Sequence, residues 1–199
     1  MDGEKVWTVD VFALAGDGVT LGCRVSSGKC GAVHNIKWYK NGERVFVYSE
    51  LADIQIQRAE GDLVGRSQLF PSPDGGVFEL VISPVRPEDQ GLYKCDITYL
   101  EVDDQCAVVQ FVNLTTLAKP DYVKITMENG TEVENSSMIG PYNEGSELTL
   151  LCESGGGKPI PRITWWNGTQ SVPGTKTVQF LNAVAMVIPQ KERGKGAEK

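Results

Sequence analysis

The stretch Asp89–Thr98, DQGLYKCDIT, decides how the chain is read. Period-two alternation puts Asp89, Gly91, Tyr93, Cys95 and Ile97 on one face of a strand. An acid and a phenol beside a cysteine and an isoleucine do not make an ordinary half-buried strand. Both polar groups need partners, and the rest of the chain has to supply them.

Outward from this stretch the chain reads as further short strands. Gly18–Val25 (GVTLGCRV) alternates with Val19, Leu21, Cys23 and Val25 on one face. Asn35–Tyr48 (NIKWYKNGERVFVY) is two strands around Asn41-Gly42, the strongest short hairpin signal. Ile36 and Trp38 then alternate inward, which leaves Lys37, Tyr39, Phe46 and Tyr48 outward. Gly65–Phe70 and Val77–Val85 flank a PSPDGG turn, and Cys106–Thr116 closes the set. Many short strands punctuated by turns predict an all-β sandwich.

The 199 residues are enough for two domains of about 100 each. Hydrophobic residues at 41% and charged residues at 23% are a globular balance, so wholesale disorder is excluded. The formal net charge is −7 and the basic residues form no block beyond the terminal KERGKGAEK, so nucleic-acid binding lacks its electrostatic footprint. No apolar run has the length of a membrane span, and the acidic opening MDGEKVWTVDVFALAGDG does not read as a signal peptide.

Enzyme chemistry finds nothing to stand on. The glycines of Gly16–Gly22 lead into a strand rather than a helix, and Ser154–Pro159 lacks the Ser or Thr that a phosphate loop needs after its Lys. The single histidine, His34, reads as an exposed loop residue, and Asp103-Asp104 as a solvated loop. No cofactor, metal or small-molecule substrate is expected.

Cys23, Trp38 and the DQGLYKC segment, in this order, resemble the immunoglobulin pattern. That resemblance implies a disulfide between Cys23 and Cys95 with Trp38 packed on it. It also implies a tyrosine corner at Tyr93 and a buried ion pair between Asp89 and Arg66. The length between Trp38 and Arg66 leaves room for the extra strands of a variable-type domain over residues 1–117, with Ala118–Asp121 (AKPD) as a short connector. The pattern restarts in Ser146–Ser154, which carries Cys152, and in Pro161–Gly168, where Trp165 rather than Trp166 occupies the core position. Residues 118–199 are thus expected to form a partial second immunoglobulin domain, truncated before its second-cysteine strand and leaving Cys152 unpaired. Cys30 and Cys106 fall in loops at the same end of such a sandwich. A second disulfide there is the preferred reading and two free thiols the alternative.

Four sequons, at Asn113, Asn129, Asn135 and Asn167, point with the cysteines to the secretory route. Asn113 falls within a strand; Asn129 and Asn167, each before a Gly, read as exposed turns. The segment Gly140–Trp166, GPYNEGSELTLLCESGGGKPIPRITWW, resembles the sidestep family of insect cell-surface immunoglobulin proteins, and nephrin and kin-of-Irre adhesion proteins share much of its Gly-Gly-x-Pro-x-Pro run. The resemblance implies an adhesion or axon-guidance ectodomain on the extracellular side of the plasma membrane, tethered in its full-length form. Its partner would be another cell-surface immunoglobulin protein; a soluble immune-recognition protein is the alternative. The face expected to bind that partner is built from Tyr39, Phe46, Tyr48, Lys94, Asp96, Thr98 and Val108.

Overall fold

The computed structural model describes residues 8–26, 30–51, 54–101, 106, 109–143, 148–172, 176–180 and 183–188. The chain divides into two units, Met1–Leu117 and Ala118–Lys199.

The first unit is a sandwich of two sheets. One sheet has the order β2-β7-β6, from β2 (Val19–Arg24), β7 (Val77–Ile82) and β6 (Ser67–Pro71). The other runs β9-β8-β3-β4-β5, from β9 (Val109–Met127), β8 (Gly91–Tyr99), β3 (Val33–Lys40), β4 (Glu43–Leu51) and β5 (Ile54–Ala59). Its far edge is covered by β1 (Thr8–Leu14), which pairs with β9 in parallel. The alternation in β2 works as the sequence suggests: Val19, Leu21 and Cys23 are buried and the residues between them are exposed. From the other sheet come Ile36, Trp38, Tyr93, Cys95, Ile97, Val112 and Leu114, all buried.

Cys23 and Cys95 are joined across the sheets, with Cα atoms 6.1 Å apart, and Trp38 lies opposite Cys95 in register. Two other side chains bind the sheets through backbone. Gln110 on β9 donates to the carbonyl of Arg24 at the end of β2 and accepts the Arg24 N–H. Gln57 on β5 does the same to Leu69 on β6, at 2.9 and 3.0 Å.

Asp89 is not a strand residue. It closes the 3₁₀ turn Pro87–Asp89, and β8 starts at Gly91, so the shared face runs from Gly91 onward. The turn places the Asp89 carboxylate, 1% exposed, against Arg66 in a two-pronged pair at 2.8 and 2.9 Å. Arg66 also donates to the carbonyls of Asp62 and Pro84, and the Tyr93 hydroxyl donates to the Asp89 carbonyl at 2.8 Å. The polar groups on the inward side of DQGLYKC are therefore satisfied inside the fold.

In the second unit the sheet order is β14-β15-β11-β9, from β14 (Lys176–Phe180), β15 (Ala183–Ile188), β11 (Leu150–Lys158) and the later part of β9. The short β10 (Glu132–Val133) also pairs with β9. Ala118–Asp121, expected as a connector, lies inside β9. The strand expected over Pro161–Gly168 shrinks to β12 (Trp166–Asn167), hairpinned to β13 (Gln170–Ser171). Trp165 is half-buried and Trp166 is 61% exposed. Cys152, on β11, is buried with a free thiol, and burial pushes its pKa up.

The triple glycine has a packing reason. The Tyr122 ring lies directly over Gly155, where a Cβ would collide with it, and the ladder slips between Gly155 and Gly156. Gly156 and Gly157 take φ of +70° and +88°, which L side chains resist. The Tyr122 hydroxyl donates to Glu153, which also holds Lys124 at 3.3 Å.

Candidate recognition face

The outward face of the five-stranded sheet is built from cross-strand rows, because residues opposite one another in an antiparallel ladder point the same way. One row crosses Phe111, Lys94, Tyr39 and Arg44 from β9 to β4. The next crosses Val109, Asp96, Lys37, Val47 and Arg58 out to β5. A third sets Thr98 opposite Asn35, then Ser49 and Ile56.

Within the first row the Lys94 ammonium sits 4.6 Å above the Tyr39 ring centre and 3.4 Å from the Asp96 carboxylate. The ring and the carboxylate hold the lysine in place while its stem covers apolar surface. Tyr39, Lys94, Leu92 and Phe111, with the Asn41-Gly42 turn at one side, line an open and largely apolar depression of about 500 Å³. At the far side Arg44 grips Glu60 with two hydrogen bonds of 2.9 Å. The Arg44 hydrogen bond holds the Glu60 carboxyl below the ordinary carboxylate range, outweighing the opposing effect of desolvation.

Tyr39, Lys94, Asp96 and Thr98 thus share this face. Phe46 and Tyr48 do not: they are 1% and 0% exposed. A plain two-residue Asn41-Gly42 hairpin would set Phe46 opposite Lys37, pointing outward. Instead the register shifts between Trp38 and Tyr39, so that Phe46 faces Trp38 and Tyr48 faces Ile36. That one-residue bulge turns both aromatics into the core. There the Tyr48 ring packs on Phe78 of the opposite sheet at 5.3 Å. Burial, and then the hydrogen bond its hydroxyl donates to Glu50, push the Tyr48 pKa up to about 12.

Val108 lies outside the described residues; on β9 the outward side chains include Val109 and Phe111. Leu92 and Phe111 were missed from sequence. Counting back by two from Lys94 finds Leu92, but the phase of β9 could not be counted from a loop of unknown length. His34 is also corrected: it lies on β3, half-buried, with its Nδ1 shielded from solvent. Asp103 and Asp104 lie outside the described residues.

At one end of the sandwich Cys30 and Cys106 are bonded, their Cα atoms 5.7 Å apart. The bridge ties the segment before β3 to the segment before β9 and so fixes the entry of a strand that carries the face. Of the sequons, Asn129, Asn135 and Asn167 are exposed, all in the second unit. Asn113 stands on the outward face, opposite Leu92 on one side and Asp10 on the other.

The immunoglobulin V-set domain model matches residues 9–113. The chain belongs to the immunoglobulin V-set family. The V-set match covers the strands of the two sheets and the face just described, and takes in β9 only as far as Asn113. Among curated relatives, Protein turtle homolog A of Homo sapiens is 28% identical over 97% of this chain and 15% of its own length. Cell adhesion molecule 3 of Homo sapiens is 28% identical over 88% of the chain and 37% of that protein. The Irregular chiasm C-roughest protein of Drosophila melanogaster is 27% identical over 82% of the chain and 18% of that protein. The chain therefore spans well under half the length of each. No helix among the described residues is long and apolar enough to cross a membrane.

Proposed function

We propose that the V-set domain is the recognition module of a cell-surface adhesion protein and binds a partner protein through the outward face of β9-β8-β3-β4. The observation that carries this reading is the row Phe111–Lys94–Tyr39 with Leu92, an accessible aromatic and aliphatic patch crossed by a held cation. Such a patch has the composition of an interface core, where aromatic anchors supply most of the binding energy. The similarity to a protein named as a cell adhesion molecule supports adhesion as the setting. The narrower resemblance of Gly140–Trp166 to sidestep proteins favours another cell-surface immunoglobulin protein as partner, in axon guidance or a related contact.

The test is a binding screen of the multimerised chain against a panel of immunoglobulin-superfamily ectodomains. It is run with the natural sequence, with Tyr39→Arg and Phe111→Arg, and with Thr20→Arg, an exposed position on the opposite sheet. Binding that both face variants reduce at least about 30-fold, the scale of a hot-spot loss of 2 kcal/mol, and that Thr20→Arg keeps, fits the proposal. Full binding by both face variants contradicts it.

A further inference from the structure

Two of the four sequons, at Asn129 and Asn113, hold their side-chain amides in different hydrogen bonds. In the loop after β9, the Asn129 Oδ1 accepts the backbone N–H of Thr131 at 3.0 Å, closing a turn across the sequon itself. The turn is clamped by Gly130 N–H to Met127 C=O at 2.9 Å and by Met127 N–H to Thr131 C=O at 2.8 Å. Gly130, at φ +81°, supplies the left-handed residue this loop requires. Asn129, Gly130 and Thr131 are all exposed. The hydrogen bond engages the oxygen of the Asn129 side chain and not its nitrogen, on a residue exposed to solvent.

Asn113 is the opposite case. It lies in the extended backbone of β9 with strands on both sides, and its Nδ2 donates to the Asp10 carboxylate at 2.9 Å. The nitrogen that would have to react is spent on a hydrogen bond. The sequon cannot fold into a turn without breaking two ladders. Order of synthesis favours this lock, since β1 and β8 precede Asn113 in the chain. The Asn129 turn uses only residues within a few positions, so it forms without the sandwich.

We propose that Asn129 is an N-glycosylation site and that Asn113, despite its sequon, is not. The reaction at Asn129 is transfer of an oligosaccharide from a lipid-diphosphate donor. The Nδ2 forms a bond to the anomeric carbon, the carbon–oxygen bond to the diphosphate breaks, the lipid diphosphate leaves, and the nitrogen gives up one proton to a base. This selection leaves the β9-β8 part of the outward face free of sugar, because a glycan on Asn113 would stand beside Leu92. Site choice itself does not depend on the recognition reading.

The experiment is glycopeptide mass spectrometry on the full chain secreted from an animal cell line, with the Cys23–Cys95 bridge confirmed in the same digest. The expected result is glycan on most copies of Asn129 and none on Asn113. Glycan on Asn113, or an empty Asn129 in correctly bridged protein, overturns the proposal. Gly130→Val keeps the sequon but strains the turn. It is expected to lower Asn129 occupancy several-fold relative to Asn167 in the same molecules, and unchanged relative occupancy overturns the part assigned to the turn.

Discussion

Asp89 shows how much one buried residue decides. Its carboxylate is held by Arg66 and by the backbone N–H of Arg86 at 2.7 Å. Desolvation alone would raise its pKa, but these hydrogen bonds outweigh it and the pKa is lowered. A carboxyl whose folded pKa lies below its unfolded value, about 3.9, contributes stability in full above that value and loses it as pH falls through the folded pKa. Asp89→Ala strands the guanidinium of Arg66, which is 8% exposed, and is expected to cost about 3–5 kcal/mol in denaturant unfolding. It should also flatten the acid limb of the stability–pH curve below about pH 4. In the second unit, Gly155→Ala forces a methyl into the Tyr122 ring and is expected to cost about 1–3 kcal/mol. Gly155→Ala combined with Tyr122→Ala should recover part of that loss, which unfolding of the single and double variants would reveal.

At the scale of elements, the difference between what the sequence shows and what it hides is a matter of range. Alternation around Cys23, Trp38 and Cys95 was legible because each strand carries its own inward marks, and Asn41-Gly42 announced its hairpin. The residue-level partners of Asp89 and Tyr93 were legible only through the immunoglobulin resemblance. The bulge in β4 was not legible. Val45, Phe46, Val47 and Tyr48 are all compatible with either phase, and the choice rests on Phe78 across the sandwich waiting for Tyr48. The two-residue β12 was hidden for the same reason, since apolar content alone does not show where a ladder finds its partner. Phe46→Arg is accordingly a folding variant and not a binding variant. Placing a charge at a fully enclosed site facing Trp38 is expected to cost more than about 4 kcal/mol and to abolish secretion. Tyr39→Arg and Phe111→Arg should be secreted and cost no more than about 1–2 kcal/mol, since each sets a second cation opposite Lys94 without burying it in the core.

At the scale of the whole molecule, two disulfides close loops of 72 and 76 residues, each worth roughly 4 kcal/mol in the chain-entropy model. They leave Cys152 as the one thiol among five cysteines. Denatured, non-reduced protein should therefore react with one equivalent of a thiol reagent, and native protein far more slowly because the sulfur is buried. The proposed recognition face depends on the same architecture. Its rows exist because five strands hold register, and β9 is tied at its entry by the Cys30–Cys106 bridge. The most direct test of that face is hydrogen exchange on the chain alone and bound to the ectodomain that the screen identifies. The expected result is slowed exchange concentrated in residues 37–47, 92–98 and 109–113, with β2, β6 and β7 unchanged. Protection confined to the β2-β7-β6 sheet, or to the second unit, would contradict recognition through this face.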